Sequence, residues 1–301
     1  TMSYRPMCTP AQSQREEHMH SSLKLLRFII KSELFKWFPG MASRPSFDDI
    51  RGAMCAPGLP FEIEHVNIEG RDIRCWKKAA PSMAALVRNS LGYGDTVFIV
   101  YRGERLTYAE HYRRVAAVAH QLIDQFGLQK GDRVAIAMRN YPEWSIAFWA
   151  AAAAGAVVVP LNAWWVSDEL EYGLRDSGAT LVFADAERLE RLQDITPDLP
   201  VKHIVAVRCE TVPDGTTTID ALWQGVNGAV ELPALAILPE DNATLFYTSG
   251  TTGFPKGTLG THRNFCSAAL TMPFSGVQGI LRSGGTIFDL MAMKKSQRSL
   301  L

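Results

Sequence analysis

A layered α/β domain, with a largely parallel sheet and helices on both faces, is the fold class the sequence predicts. Three observations carry that expectation. Short strand-like runs alternate with helical patterns from about residue 97 to residue 247. Two of the runs, Arg133–Met138 and Val157–Val159, read as short buried strands. The stretch from Trp144 to Ala154 is apolar nearly all round, which suits a helix enclosed between layers.

Taken in order, residues 43–75 carry Pro57, Gly58 and Pro60 and are expected to be irregular. Trp76 to Ser90 suggests a helix broken early by Pro81. Val97–Tyr101 is a strand signal, with a turn at Arg102-Gly103-Glu104 into a short return strand. Thr107 and Glu110 then form a T-x-x-E capping box. The helix it opens has Tyr112, Val115, Ala119, Leu122 and Phe126 on its apolar face and stops at Gly127. After the strand at 133–138, Asn140 is the expected cap of the apolar helix, Pro142 fits its first turn and Gly155 ends it. Val157–Val159 closes at Pro160, and a helix follows from Ser167, its expected cap, to Asp176. Thr180–Phe183 is a strand, 186–193 a short polar helix and His203–Val207 another strand. Residues 209–240 are looser, Thr244–Tyr247 reads as the last strand, and a helix is expected to begin near Thr261 or His262.

The totals bound the possibilities. A chain of 301 residues fits one large domain or two modest ones. Hydrophobic residues at 47% and charged residues at 21% are ordinary globular composition. A formal net charge of +0 implies no pull toward nucleic acid. Five cysteines (Cys8, Cys55, Cys75, Cys209, Cys266) form no C-x-x-C pair. Their pattern reads as a reduced intracellular protein, cytoplasmic by preference over peroxisomal or mitochondrial, without a cysteine zinc site. The final Ser299-Leu300-Leu301 is not the S-K-L peroxisomal address. Residues 1–42 read as a leader. Within residues 23–38, Leu23, Leu26, Ile30, Leu34 and Trp37 share one helical face among interleaved lysines and arginines. That stripe is too broken by charge to span a bilayer. It could touch a membrane surface or serve as a targeting helix, but a helix docked on the domain, or a segment not present in the real protein, is the preferred reading.

The chemistry concentrates in Thr248-Ser-Gly-Thr-Thr-Gly-Phe-Pro-Lys-Gly257. Gly250, Gly253 and Gly257 let backbone N–H groups approach an anion. Thr248, Ser249, Thr251 and Thr252 supply short hydroxyl donors, and Lys256 adds a positive charge at the far end of the loop. The pattern reads as a phosphate cradle. It is not the P-loop of NTPases, because Pro255 precedes the lysine where that motif has Gly, and Gly257 follows it where that motif has Ser or Thr.

From Tyr247 to Gly257 this segment resembles the signature loop of the AMP-forming acyl-CoA synthetase, luciferase and peptide-synthetase adenylation superfamily. His262-Arg-Asn264 follows at the family's spacing, and upstream words are similar too: Gly131-Asp-Arg-Val134, Asn140-Tyr-Pro-Glu-Trp144, Ala154-Gly-Ala-Val157, Pro160-Leu-Asn162, Glu169-Leu170 and Asp176-Ser-Gly-Ala179. The likeness covers roughly residues 75–273 and is nearest the acid–CoA ligase branch. It implies a fold, the N-terminal adenylation domain with its layered, mostly parallel sheets. It also implies a reaction: a carboxylic acid substrate attacks the α-phosphorus of ATP, pyrophosphate leaves, and the acyl-adenylate passes to coenzyme A. By the same resemblance Thr248, Ser249, Gly250, Thr251, Thr252, Gly253, Lys256 and Gly257 would hold the phosphates, with Mg²⁺ as companion ion.

The family's Tyr-Gly-x-Thr-Glu segment, whose glutamate helps hold Mg²⁺, its ribose-binding aspartate and its C-terminal lysine are not identifiable here. Tyr93-Gly-Asp-Thr96 and Tyr172-Gly-Leu174 stand before the loop and lack the Thr-Glu pair. The expected organisation is therefore a leader at 1–42, a partial adenylation domain at 43–275 and a divergent or misread tail at 276–301, incomplete for catalysis. A non-catalytic nucleotide-binding remnant or an interaction partner of a full-length relative is the alternative. His262 is expected to be a helix-start residue without a role. Trp144, Phe148, Trp149, Trp164 and Trp165 are expected in the core. Asp132 and Arg133 are expected to form a turn and a strand edge, and Cys266 to be buried and inert.

Overall fold

The computed structural model describes residues 45–193, 199–224, 230–248 and 255–284. The leader stripe at residues 23–38 and Cys8 lie outside them. The described residues form two compact units, one from residues 80–266 and a smaller one from 45–79 and 267–284.

The larger unit is built on a seven-stranded sheet. Its central strands are β5 (Arg133–Ala137), β6 (Val157–Pro160), β7 (Leu181–Asp185) and β8 (His203–Val207), all parallel. The short β9 (Thr217–Thr218) extends one side, and β10 (Asn242–Thr248) pairs parallel with β6 on the other. β11 (Lys256–Thr261) then adds antiparallel to β10, so the spatial order is β11-β10-β6-β5-β7-β8-β9. Reading Thr244–Tyr247 as the last strand therefore missed β11. Its glycine- and threonine-rich string, Lys-Gly-Thr-Leu-Gly-Thr, has little strand propensity of its own and takes its shape from the β10 ladder.

Helices cover both faces, as the alternation predicts. From β5 the chain moves one way to β6 through α4 (Pro142–Ala153) and then back past β5 to β7 through α5 (Ser167–Ser177). Right-handed crossovers in opposite directions put the two helices on opposite faces. Val134, Ile136, Val158 and Phe183 are fully enclosed, each burial stabilising by roughly 1.5–3 kcal/mol. Ala135, Ala137, Val159, Val182 and Ala184 alternate with them and form a second cluster with Trp165, Leu170, Leu174 and Leu189, the last on α6 (Ala186–Gln193). The face-to-face burial explains why α4 is apolar all round: α3 (Tyr108–Asp124) packs on its far side.

The α3 capping box is present as read. The Thr107 hydroxyl accepts from Glu110 N–H at 3.2 Å and Glu110 Oε2 accepts from Thr107 N–H at 2.9 Å. Three other boundary expectations are corrected. Tyr141, not Asn140, is the cap of α4, since Pro142 already occupies the first helical position. Ser167 is the first residue of α5 rather than its cap, and Val166 N–H is satisfied by Glu169 Oε2 at 3.0 Å. Trp76 belongs to a strand, and the helix after Pro81, α2 (Met83–Asn89), is capped by Ser82, whose hydroxyl accepts from Ala85 N–H.

A hairpin of β3 (Val97–Tyr101) and β4 (Glu104–Thr107) stands beside the large sheet. Its two-residue turn places Arg102 at φ 44° and Gly103 at φ 91°, the mirror-image turn that matches strand twist. Arg208 ties the hairpin down. Its guanidinium donates to both Glu104 oxygens at 2.9 and 2.7 Å and to Glu143 at 2.9 Å, and it lies against the rings of Tyr101 and Tyr141.

The smaller unit corrects the expectation that residues 43–75 are irregular. It holds α1 (Phe47–Met54), capped by Ser46 and Asp49, and a hairpin of β1 (Ile63–Ile68) and β2 (Arg71–Trp76). β2 is largely exposed and β1 only half-buried, so no clean apolar alternation marks them. In this unit Ile50, Met54 and Phe274 form a small core against Phe61 and Trp76. Trp76 Nε1–H also donates to the Thr271 hydroxyl at 2.9 Å. Phe274 and Thr271 belong to α8 (His262–Arg282), which begins where the sequence placed it.

Candidate nucleotide-phosphate site

The candidate site grows from the paired ends of β10 and β11. Thr248 stands opposite Lys256, and Tyr247 opposite Gly257. The Thr248 hydroxyl donates to the Lys256 carbonyl at 3.4 Å. The connection 249–255 therefore leaves and rejoins the sheet at one rung of the ladder. Of the predicted phosphate ligands, Thr248, Lys256 and Gly257 meet here, whereas Ser249, Gly250, Thr251, Thr252 and Gly253 lie outside the described residues. Lys256 is not part of the loop, as the sequence suggested, but the first residue of a strand. Its ammonium is thus carried on a backbone held by a β-ladder, which narrows the positions it can sample.

Gly257 has a steric reason to be glycine. A Cβ there would lie 2.9 Å from Leu245 Cδ1 and 3.6 Å from Tyr247 Cε1. Small size at this position lets the β10 side chains fold across β11.

One helix, α5, reaches both sides of the rung. Tyr247 Oη donates to Asp176 Oδ2 at 2.6 Å, and Tyr172 Oη donates to the Pro255 carbonyl at 3.0 Å. Burial first, then the bond to Asp176 and its negative charge, holds the Tyr247 phenol well above the usual tyrosine range, so it stays a donor. Neither residue was singled out as a site group from the sequence. Asp176 and Tyr247 are 71 positions apart, and no local pattern links such a pair.

An open cleft of about 620 Å³ lies beside the rung, lined by Arg133, Tyr172, Asp176, Leu245, Lys256 and Leu259. That volume is in the range of small-molecule sites. Arg133 spends its guanidinium on the C-terminal carbonyls of α5, Ser177 and Gly178, each at 2.9 Å, an arrangement that also suits the helix dipole. Asp132 accepts from Gln129 N–H at 2.8 Å in the preceding turn. Both therefore have the structural parts expected of them.

The remaining expectations divide. His262 starts α8 and is fully buried. Its Nδ1 accepts from Met83 N–H at 3.2 Å, and Nε2 has no partner among the described residues. Burial, reinforced by Lys130, lowers its basicity, with Asp241 opposing. Cys266 is buried and its thiol is pushed up to about 11. Phe148 and Trp165 are buried, and Phe265 joins Phe148 and Trp149 in one aromatic cluster. Trp164 breaks the expectation of core packing. It is 68% exposed, with the Arg139 guanidinium 3.9 Å above its ring. Among the described residues no group of three or more His, Cys, Asp or Glu side chains could hold a metal ion. None of their helices is long and apolar enough to cross a membrane.

Comparison with known proteins agrees with this architecture. The chain is 37% identical over 170 residues to the long-chain-fatty-acid–CoA ligase FadD13 of Mycobacterium tuberculosis, covering 55% of this chain and 31% of that protein. It is 33% identical over 190 residues to the human mitochondrial malonate–CoA ligase ACSF3, covering 60% and 30%. The chain thus spans about a third of the length of the curated relatives it matches. Among solved structures, the N-terminal domain of FACL13 from M. tuberculosis superposes with a TM-score of 0.52 at 28% identity, covering 60% of this chain and 44% of that one. A long-chain-fatty-acid–CoA ligase from Archaeoglobus fulgidus gives a TM-score of 0.54 at 25% identity, covering 64% and 39%. The family model described as AMP-binding enzyme matches residues 86–285, well over half of the chain, and the chain belongs to that family.

Proposed function

We propose that this chain is the nucleotide-binding portion of an AMP-forming acid–CoA ligase, with residues 43–275 forming its part of the adenylation domain. The observation that carries the reading is the rung at which Thr248 and Lys256 meet, flanking a Ser/Thr/Gly connection beside an open cleft. In this reading Thr248, Ser249, Gly250, Thr251, Thr252 and Gly253 surround the β- and γ-phosphates of ATP. Lys256 neutralises the charge that gathers on pyrophosphate as it leaves. Oriented donors and a fixed cation are what a phosphoryl leaving group needs, because its charge grows toward the transition state. The carboxylate of an organic acid would attack the α-phosphorus, and the acyl-adenylate would pass to coenzyme A. The names of the relatives, ligases of long-chain fatty acids and of malonate, support an acid substrate. Mg²⁺ finds no cluster of three or more His, Cys, Asp or Glu side chains among the described residues.

The test is binding followed by turnover. The purified chain is titrated with ATP, and exchange of labelled pyrophosphate into ATP is then measured with a panel of acids. Saturable ATP binding that weakens roughly 10–100-fold in Lys256→Ala supports the reading, and absence of binding by the unaltered chain overturns it. No exchange is expected from these 301 residues, since the Tyr-Gly-x-Thr-Glu string is not among them. Exchange would show that adenylation needs less of the family pattern than this.

A further inference from the structure

We infer that Asp176 and Tyr172 on α5 are positioning residues for the phosphate site, a two-point clamp on the strand ends that carry it; the inference rests on the reading just given. The connection 249–255 has two anchors, one on each side of it. On the β10 side, Tyr247 Oη donates to Asp176 Oδ2 at 2.6 Å, with the Gly173 carbonyl a further 3.4 Å acceptor. On the β11 side, Tyr172 Oη donates to the carbonyl of Pro255, the residue next to Lys256, at 3.0 Å. Asp176 and Tyr172 are one helical turn apart and therefore share a face. One rigid element thus holds both ends of the connection, and β11 needs the help because on its other side it has no neighbour among the described strands.

Packing enforces the seating of α5. The Tyr247 ring rests on Trp165 and Tyr172 with centroids 5.7 and 6.4 Å away. Gly173 sits so close that a Cβ would come within 2.7 Å of Trp165 Cζ3. Hydrogen bonds to an ionised acceptor are the stronger kind, and the 2.6 Å phenol–carboxylate bond is of that class.

The charge of Asp176 makes the inference separable from plain electrostatics. A carboxylate lining the same cleft as Lys256 repels phosphate, so charge alone predicts that Asp176→Ala tightens polyphosphate binding. The clamp predicts the opposite. Binding of ATP and of inorganic pyrophosphate should weaken roughly tenfold in Asp176→Ala and several-fold in Tyr172→Phe, while binding of AMP stays within about twofold. Asp176→Asn, which keeps an acceptor for Tyr247 and drops the charge, should bind pyrophosphate at least as well as the unaltered chain. Hydrogen exchange of the Lys256–Thr261 amides without nucleotide should accelerate in Asp176→Ala and Tyr172→Phe and stay slow in Asp176→Asn. Unchanged exchange and unchanged pyrophosphate binding in Asp176→Ala would overturn the clamp, as would equal losses of AMP and pyrophosphate. If the unaltered chain binds neither ATP nor pyrophosphate, the ligase reading fails, and the exchange result alone decides whether the clamp exists.

Discussion

Thr248 and Lys256 are ladder partners at the last rung between β10 and β11, and the hydroxyl of the first donates to the carbonyl of the second. The two strand ends are thereby tied to each other at the rung where the connection proposed to hold phosphate leaves and rejoins the sheet. Lys256→Ala should therefore lower ATP affinity by roughly 10–100-fold, the worth of one charge-assisted contact of about 1.5–3 kcal/mol. It should leave the thermal midpoint within about 2 °C, because the side chain is exposed. Calorimetric titration beside a melting curve checks both.

Gly173 has no room for a methyl group. A Cβ would stand 2.7 Å from Trp165 Cζ3 and 3.1 Å from Leu161 Cδ2, both in the cluster under α5. Gly173→Ala should destabilise the larger unit by roughly 1–3 kcal/mol despite the gain in helix propensity. Urea unfolding monitored by tryptophan fluorescence would read the change, and an unaltered midpoint would mean that α5 can shift.

Arg188 is 1% exposed and its guanidinium meets Asp185, Glu187 and the carbonyl of Ala163. Asp185 in turn accepts from Arg139 N–H at 2.9 Å, at the carboxyl end of the sheet. Asp185→Ala would leave the buried cation without its most enclosed partner and should cost roughly 3–5 kcal/mol. Replacing both residues, Asp185→Ala with Arg188→Leu, should recover much of that loss. A double-mutant cycle in urea measures the coupling.

His111 is buried beneath the β3–β4 hairpin, with Nε2 3.0 Å from the Ser145 hydroxyl and Phe98 edge-on to its ring. Burial lowers its pKa from 6.5 to about 4, with Arg114 adding a little and the Ser145 bond opposing. Between these values the unfolded chain binds the proton and the folded chain does not, so stability rises with pH. The advantage of the neutral ring is complete above pH 6.5 and is lost progressively as pH falls toward 4, by at most roughly 3 kcal/mol. His111→Gln should flatten this slope in urea midpoints measured from pH 4 to pH 7. An unchanged slope would assign the acid sensitivity to other groups.

Much of the fold was legible because its determinants are local. The Thr107–Glu110 box, the Gly127 and Gly155 stops, and the apolar runs at 133–138, 157–159 and 203–207 each act within a few residues. The hairpin at residues 63–76 was not legible, since Ile63, Val66, Ile68 and Ile73 alternate poorly and its turn is Glu69-Gly70 rather than Asn-Gly or Asp-Gly. Trp164 was misplaced because an indole beside a buried Trp165 looks alike in sequence whether it enters the core or stacks under Arg139.

The sequence by itself determined the α/β layering, the family and the chemical character of the 248–257 segment. Glycines, hydroxyls and a lysine at fixed spacing carry their chemistry whatever surrounds them. Only the tertiary structure decided that Lys256 rides on a strand, that Gly257 is small for the sake of Leu245, and that Asp176 and Tyr172 hold both ends of the connection. The physical reason is range. Caps and periodicities act over one or two turns of chain, whereas a β-ladder or a phenol–carboxylate bond joins residues whose proximity exists only after the sheet has formed.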